Sequence, residues 1–168
     1  MAIDTLISAD KENAAIDMNI QMVMDDLVQI LDRPVEEILP RFLQSRTCAT
    51  LYDRETKLWW DGPSVIVELY LEEIHEKKEP IAINPFTCVR EVMMNERSQI
   101  TYMQVRLVRM ATEKWNVSVA EAARVFQQYQ VFEFIRDCFG IFHVEGDEAV
   151  WEEIVPYLQV RGYDFRTI

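Results

Sequence analysis

Slid over itself by 84 residues, half its length, the chain matches itself without a gap. Val35 meets Val119, Glu37 meets Glu121, Phe42 meets Phe126 and Gln44 meets Gln128. Asp53 then meets Asp137, Gly62 meets Gly146, and Glu68 meets Glu152. Seven identities thus fall in the 37 positions from 34 to 70, where about two are expected for average composition. The apolar pattern agrees: Met18, Val23, Leu27 and Leu31 fall opposite Tyr102, Leu107, Ala111 and Trp115, and Ile16 opposite Ile100. A period of this kind predicts two divergent copies of one helical unit.

Each copy has the same order of elements. Residues 10–31 place Ile16, Ile20, Val23, Met24, Leu27 and Leu31 on one stripe at helical spacing. Their counterpart, 99–115, uses Ile100, Met103, Leu107, Met110 and Ala111. The second helix opens with Pro34 in its first turn, and in copy two Ser118 and Glu121 fit a capping box. Pro40 should kink or split the first version, because it removes a helical hydrogen bond at a cost of about 3 kcal/mol. A short third helix follows at 48–52 and 132–138. Residues 53–63 and 139–147 are non-helical, with Leu58-Trp59-Trp60 and Ile141-Phe142-His143-Val144 as short extended pieces that could pair with one another. The last helix, 64–78, buries Ile66, Leu69, Tyr70 and Ile74; its counterpart, 148–160, buries Val150, Ile154 and Leu158.

The expected fold is therefore mainly α: two copies of about four helices each, with short extended segments around 57–60 and 141–144. Residues 1–79 form repeat one and 99–168 repeat two. Between them Pro80 and Asn84-Pro85 mark a linker, 80–98, in which 87–94 could form an extra helix with Val89, Val92 and Met93 inward. The tail from 161 onward has no periodic signal. Only four Gly and six Pro argue against a turn-dense β-sandwich. No apolar run approaches the roughly 20 residues of a membrane span, and Asp4, Asp10, Lys11 and Glu12 spoil a signal peptide. The expected compartment is the cytoplasm, without a membrane partner.

Charge narrows the function classes. Residues 1–84 carry 8 Lys+Arg against 17 Asp+Glu, a net −9; the remainder carries 9 against 12, a net −3. Nucleic-acid binders usually show a basic footprint, so no nucleic acid is expected. A helix-turn-helix in copy two would present Val131-Phe132-Glu133-Phe134-Ile135-Arg136-Asp137 to base edges, which is too apolar and too acidic.

Candidate chemistry is thin. Cys48, Cys88 and Cys138 form no CxxC pair, and two histidines 68 positions apart make a His-based metal site improbable. Cys138, His143 and Glu145 resemble a nucleophilic set, but Cys138 lies on an apolar stretch with no Gly-rich loop for an oxyanion hole. His75 reads as structural too. Glu68, Glu72 and Glu76 form a solvated i, i+4 ridge rather than an acid–base pair. No catalytic residue, metal or cofactor is expected. The most distinctive segment runs Asp53-Arg54-Glu55-Thr56-Lys57-Leu58-Trp59-Trp60-Asp61-Gly62-Pro63. Adjacent tryptophans on extended backbone cannot both point the same way, so one should be core and the other either an exposed binding anchor or, like its neighbour, largely structural. Asp53, Glu55, Lys57, Trp59, Trp60 and Asp61 are the candidate partner-binding residues.

The same residues carry a resemblance. Phe42-Leu43-Gln44-Ser45-Arg46-Thr47, Leu51-Tyr52-Asp53, Glu55-Thr56-Lys57-Leu58-Trp59 and Gly62-Pro63 to Tyr70-Leu71-Glu72-Glu73 resemble a family of small bacterial proteins of unknown function. Phe126, Phe134-Ile135, Phe142-His143, Gly146 and Ile154 to Tyr157-Leu158 resemble a companion family of short helical domains. Together the resemblances cover roughly residues 16–74 and 99–162. Genes for such domains often sit beside genes for ADP-ribosyltransferase-like toxins. The resemblance thus implies an antitoxin-like or accessory role, with the adjacent toxin as protein partner and a homodimer as a further option; it brings no catalytic residues with it. A transcriptional regulator, or an enzyme using a cleft between the copies, is the alternative class.

Overall fold

A computed structural model describes residues 2–76 and 96–165, and the described residues are mainly α-helical with no strand among them. In chain order they form α1 (Ala2–Leu31), α2 (Val35–Leu43), α3 (Arg46–Tyr52), a single 3-10 turn (Leu58–Trp60) and α4 (Pro63–Glu76). Then come α5 (Glu96–Trp115), α6 (Val119–Gln128), α7 (Val131–Asp137), α8 (Phe139–Phe142) and α9 (Asp147–Val160). The helix expected at 87–94 lies outside the described residues. α5 opens at Glu96, so the end of the 80–98 stretch is helical.

The α1 stripe is buried in full, from Ile16 to Leu31. Asp32, in the left-handed region at φ 50°, ends the helix, and Pro34 caps α2 at φ −67°. α2 turns Val35, Ile38, Leu39, Phe42 and Leu43 inward and keeps Glu36 and Glu37 in its first turn, where they suit the helix dipole. Against expectation, Pro40 does not split α2. Its φ is already helical, only one backbone bond is lost, and its ring is buried beside Leu39.

Short helices depend on their ends, because four N–H groups at each start lack a helical partner. In α3 the Ser45 Oγ accepts from the Cys48 N–H at 3.0 Å and donates to the Phe42 carbonyl at 2.6 Å. Glu73, buried on α4, reaches across to the same turn: its carboxylate accepts from the Arg46 N–H at 3.0 Å, the Thr47 N–H at 2.9 Å and the Thr47 Oγ1 at 2.8 Å. Ser45→Ala should cost about 1–2 kcal/mol, read as a lower midpoint in chemical denaturation. α6 carries the expected capping box, with the Ser118 Oγ accepting from the Glu121 N–H and the Glu121 carboxylate from the Ser118 N–H.

The expected extended pieces at 57–60 and 141–144 are both helical turns. Lys57 enters the left-handed region at φ 56° and reverses the chain. The Trp60 N–H then bonds the Lys57 carbonyl at 2.9 Å, and the Asp61 N–H bonds Leu58 at 3.1 Å. In the second half the His143 N–H bonds Phe139 at 3.0 Å and the Val144 N–H bonds Ile141 at 3.3 Å. Backbone groups satisfied locally have no need of strand pairing. Leu69 also departs from expectation: it is 39% exposed, and Val67 takes a place in the α4 core face. Ile66, Tyr70, Glu73 and Ile74 already fill that stripe, and Leu69 falls on its flank.

The core forms where the long helices meet: α1 packs along α5 and α4, and α2 against α6. Phe42 and Phe126 are both fully buried. Phe42 meets Tyr70 edge-on with ring centroids 5.1 Å apart, and Phe126 meets Phe132 at 5.6 Å and Trp115 at 6.1 Å. After α9 the chain folds back, setting Tyr163 and Phe165 against the Trp115 ring at 5.6 and 6.0 Å.

Candidate functional site

The Asp53–Asp61 loop is fixed from within. The Asp53 Oδ1 accepts from the Glu55 N–H at 3.0 Å, and the Thr56 hydroxyl lies 2.8 and 2.9 Å from the Asp53 and Thr50 carbonyls, which share its one proton. Two further contacts tie it to α1. The Asn19 Nδ2 donates to the Trp59 carbonyl at 2.8 Å, and the Arg54 Nε lies 3.5 Å from the Glu12 Oε2.

On this frame the two tryptophans part. Trp59 is half-buried and packs against the core, whereas Trp60 is 70% exposed. Their rings meet edge-on at 5.3 Å and 82°, so Trp59 buttresses the ring that projects. Asp53, Glu55, Lys57 and Asp61 are all exposed on the same short loop. The loop thus presents one rigid aromatic ring among three carboxylates, the Lys57 ammonium and the Arg54 guanidinium that reaches Glu12. Such a ring loses little conformational entropy on binding and buries a large apolar area.

Other candidates are placed differently. His143 is exposed; its ring nitrogen Nδ1 lies 2.8 Å from the Phe139 carbonyl, and the ring stacks on Phe139. That nitrogen is therefore engaged by backbone. Cys138 is half-buried, and burial pushes the fully enclosed Cys48 thiol up, away from the reactive thiolate. Glu68 and Glu72 are exposed on α4. Arg136, the cation of α7, is held by Asp137 at 3.1 Å and Glu36 at 3.6 Å, so its charge is spent within the protein. No helix among the described residues is long and apolar enough to cross a membrane.

A strongly perturbed charged group lies at the seam between α1 and α5. Asp17 is only 1% exposed. Its Oδ2 meets the Arg109 Nε at 2.9 Å, and the Arg109 Nη1 reaches the exposed Glu113 at 3.0 Å. Burial raises the Asp17 pKa to about 6, outweighing Arg109 and the more distant Arg106. Arg106 is itself paired with Asp147. Asp17 Oδ1, the Tyr52 hydroxyl and the Trp59 Nε1 are buried without a hydrogen-bond partner. Farther along the seam the Ser98 hydroxyl lies 3.0 and 3.1 Å from the two Asp25 oxygens. The Gln44 Nε2 donates to the Gln127 Oε1 at 2.9 Å. Sequence reasoning passed over Asp17 and Glu73, although both lie inside apolar stripes: Asp17 is only about 20° from Met24 around the helix.

No curated protein and no solved structure matches the chain. One family model, described as "Protein of unknown function (DUF3791)", matches residues 102–161, from within α5 to the residue that closes α9. That stretch is similar to a small helical domain whose role has not been assigned.

Proposed function

We propose that the chain is a non-catalytic protein-interaction module made of two divergent copies of one helical unit. Its first copy covers the dinucleotide cleft of an ADP-ribosyltransferase-like toxin encoded by the adjacent gene, and its second copy braces the complex or dimerises. The reading assigns no catalytic residue, metal or cofactor, and no nucleic-acid partner. Its main support is Trp60, exposed on a turn fixed by its own backbone and by Asn19, amid Asp53, Glu55 and Asp61. An acidic loop with an aromatic anchor suits a basic cleft: charge speeds encounter, and the desolvated ring supplies much of the affinity. A cleft that binds a dinucleotide's phosphates should be basic. The repeat reading draws support from the shared element order and from Phe42 and Phe126, buried at corresponding positions. Trp60 has its own counterpart in Val144, which is 75% exposed.

Co-expression with the neighbouring gene's product is the direct test. The two proteins should co-purify, and Trp60→Ala should weaken the complex by about 2 kcal/mol or more, roughly thirtyfold in Kd. Glu55→Lys should mainly slow association and flatten its salt dependence. If the proteins do not co-purify and the neighbour's toxicity is unchanged, the antitoxin reading fails.

A further inference from the structure

A groove of about 350 Å³ runs between α1 and α4, lined by Asp26, Gln29 and Ile30 on one side and Ser64, Val67, Glu68 and Leu71 on the other. The second half shows what such a groove accepts. Eighty-four residues on, Ile30, Ser64 and Val67 correspond to Lys114, Glu148 and Trp151. There the Lys114 Nζ bonds the Glu148 Oε2 at 2.9 Å and lies 5.8 Å from the centre of the Trp151 ring, bridging α5 to α9. The chain closes that groove with a lysine stem, its cation, and an indole. In the first half the three positions carry an isoleucine, a serine and a valine; Val67 is buried between the helices, and the groove remains beside it. The floor stays apolar (Ile30, Val67, Leu71), and Asp26 and Glu68 stand on the rims.

We propose that this groove docks a basic amphipathic helix of a partner protein. The partner inserts an apolar side chain between α1 and α4 and sets a Lys or Arg against Glu68, exposed on the rim. It thereby supplies from outside what Lys114 and Trp151 supply in the second half. Charge favours this occupant: the first 84 residues carry a net −9, and a second copy of so acidic a chain would meet like charge here. Two-helix grooves commonly take a third helix through side chains at i, i+3 and i+4 spacing. The inference rests on the interaction-module reading and on the correspondence of the two halves, but not on the partner being a toxin.

The test needs only the full chain and a synthetic Leu–Lys peptide patterned at helical spacing. Ile30→Lys, Ser64→Glu and Val67→Trp together copy the closed groove of the second half and leave the net charge unchanged, so diffuse attraction is held constant. The triple variant should bind the peptide at least about tenfold more weakly than the parent chain, while Glu68→Gln should weaken binding and reduce its salt dependence. Ser64→Trp, at an exposed position, fills the groove without touching the core and should reproduce the loss if the triple variant folds poorly. Equal affinity of the parent chain and the groove-filled variants would overturn the proposal, since the peptide would then be held by surface charge alone. A concentration-dependent dimer that groove filling abolishes would also overturn it, placing a second copy in the groove. Failed co-purification with the neighbouring gene product bears on the toxin reading and leaves this titration untouched.

Discussion

Phe42→Ala and Phe126→Ala should each destabilise the protein by about 3–5 kcal/mol. Both rings are fully buried, and truncation removes their transfer energy and leaves a cavity that rigid neighbours cannot fill. Phe42→Ala would leave Tyr70 without its edge-on partner, and Phe126→Ala would strip both Trp115 and Phe132 of theirs. Against a total stability of about 5–15 kcal/mol, either loss is large. With a urea slope of about 2 kcal/mol/M, the midpoint should fall by roughly 2 M. Because α1 packs along α5 and α2 along α6, each substitution should shift a single transition rather than melt one half alone. If either substitution costs under about 1 kcal/mol, or if one half unfolds first, the two phenylalanines do not hold equivalent places in a shared core.

The α1 stripe was legible because its burial follows a 3.6-residue period that local sequence carries in full: Ile16, Ile20, Val23, Met24, Leu27 and Leu31 are all inside, whereas on α5 Ile100 and Met110 are only half-buried and Val105 and Val108, outside the expected stripe, are fully buried. The α6 cap was legible for the same reason, since Ser118 and Glu121 are three residues apart. The tryptophan pair was half legible. One ring inside and one outside follows from two bulky neighbours in any regular backbone, but extended backbone was the wrong cause. A left-handed Lys57 decides that turn, and αL at a lysine is disfavoured locally and held by the surrounding packing. Glu73 escaped notice because its partners lie at positions 46 and 47. Its place in the apolar stripe of α4 signals burial, but only the tertiary fold reveals a capping carboxylate. Tyr163 and Phe165 escaped because they contact Trp115 singly, without a periodic face of their own.

Asp17→Asn should stabilise the protein at neutral pH, and the gain should fade in mild acid. Asp17 has an ordinary value of 3.8 when solvated and about 6 when folded, mainly because burial disfavours its charge. A carboxyl whose folded pKa is raised favours folding in its protonated form. That contribution is fully present only below about pH 4 and is lost as the pH rises through about 6. Holding the ionised carboxylate at the α1–α5 seam above pH 7 therefore costs about 3 kcal/mol relative to the neutral acid. Asparagine mimics the neutral acid in size and shape. The carboxamide introduced by the substitution would still accept a hydrogen bond from Arg109, which keeps Glu113 as a charged partner. The gain should approach about 3 kcal/mol near pH 7.5, halve as the pH nears about 5, and largely disappear by about pH 4. Arg109→Leu should do the opposite at neutral pH. Removing the cation takes away what holds the Asp17 pKa down, so the buried carboxyl must take up a proton without a partner, the Tyr52 hydroxyl has no hydrogen-bond partner of its own, and breaking a buried pair from one side costs about 3–5 kcal/mol. Unfolding measured across this pH range separates the two forces at the seam. A loss in Asp17→Asn that is largest near pH 7.5 would mean that attraction to Arg109 outweighs the cost of burial, reversing the balance argued for Asp17.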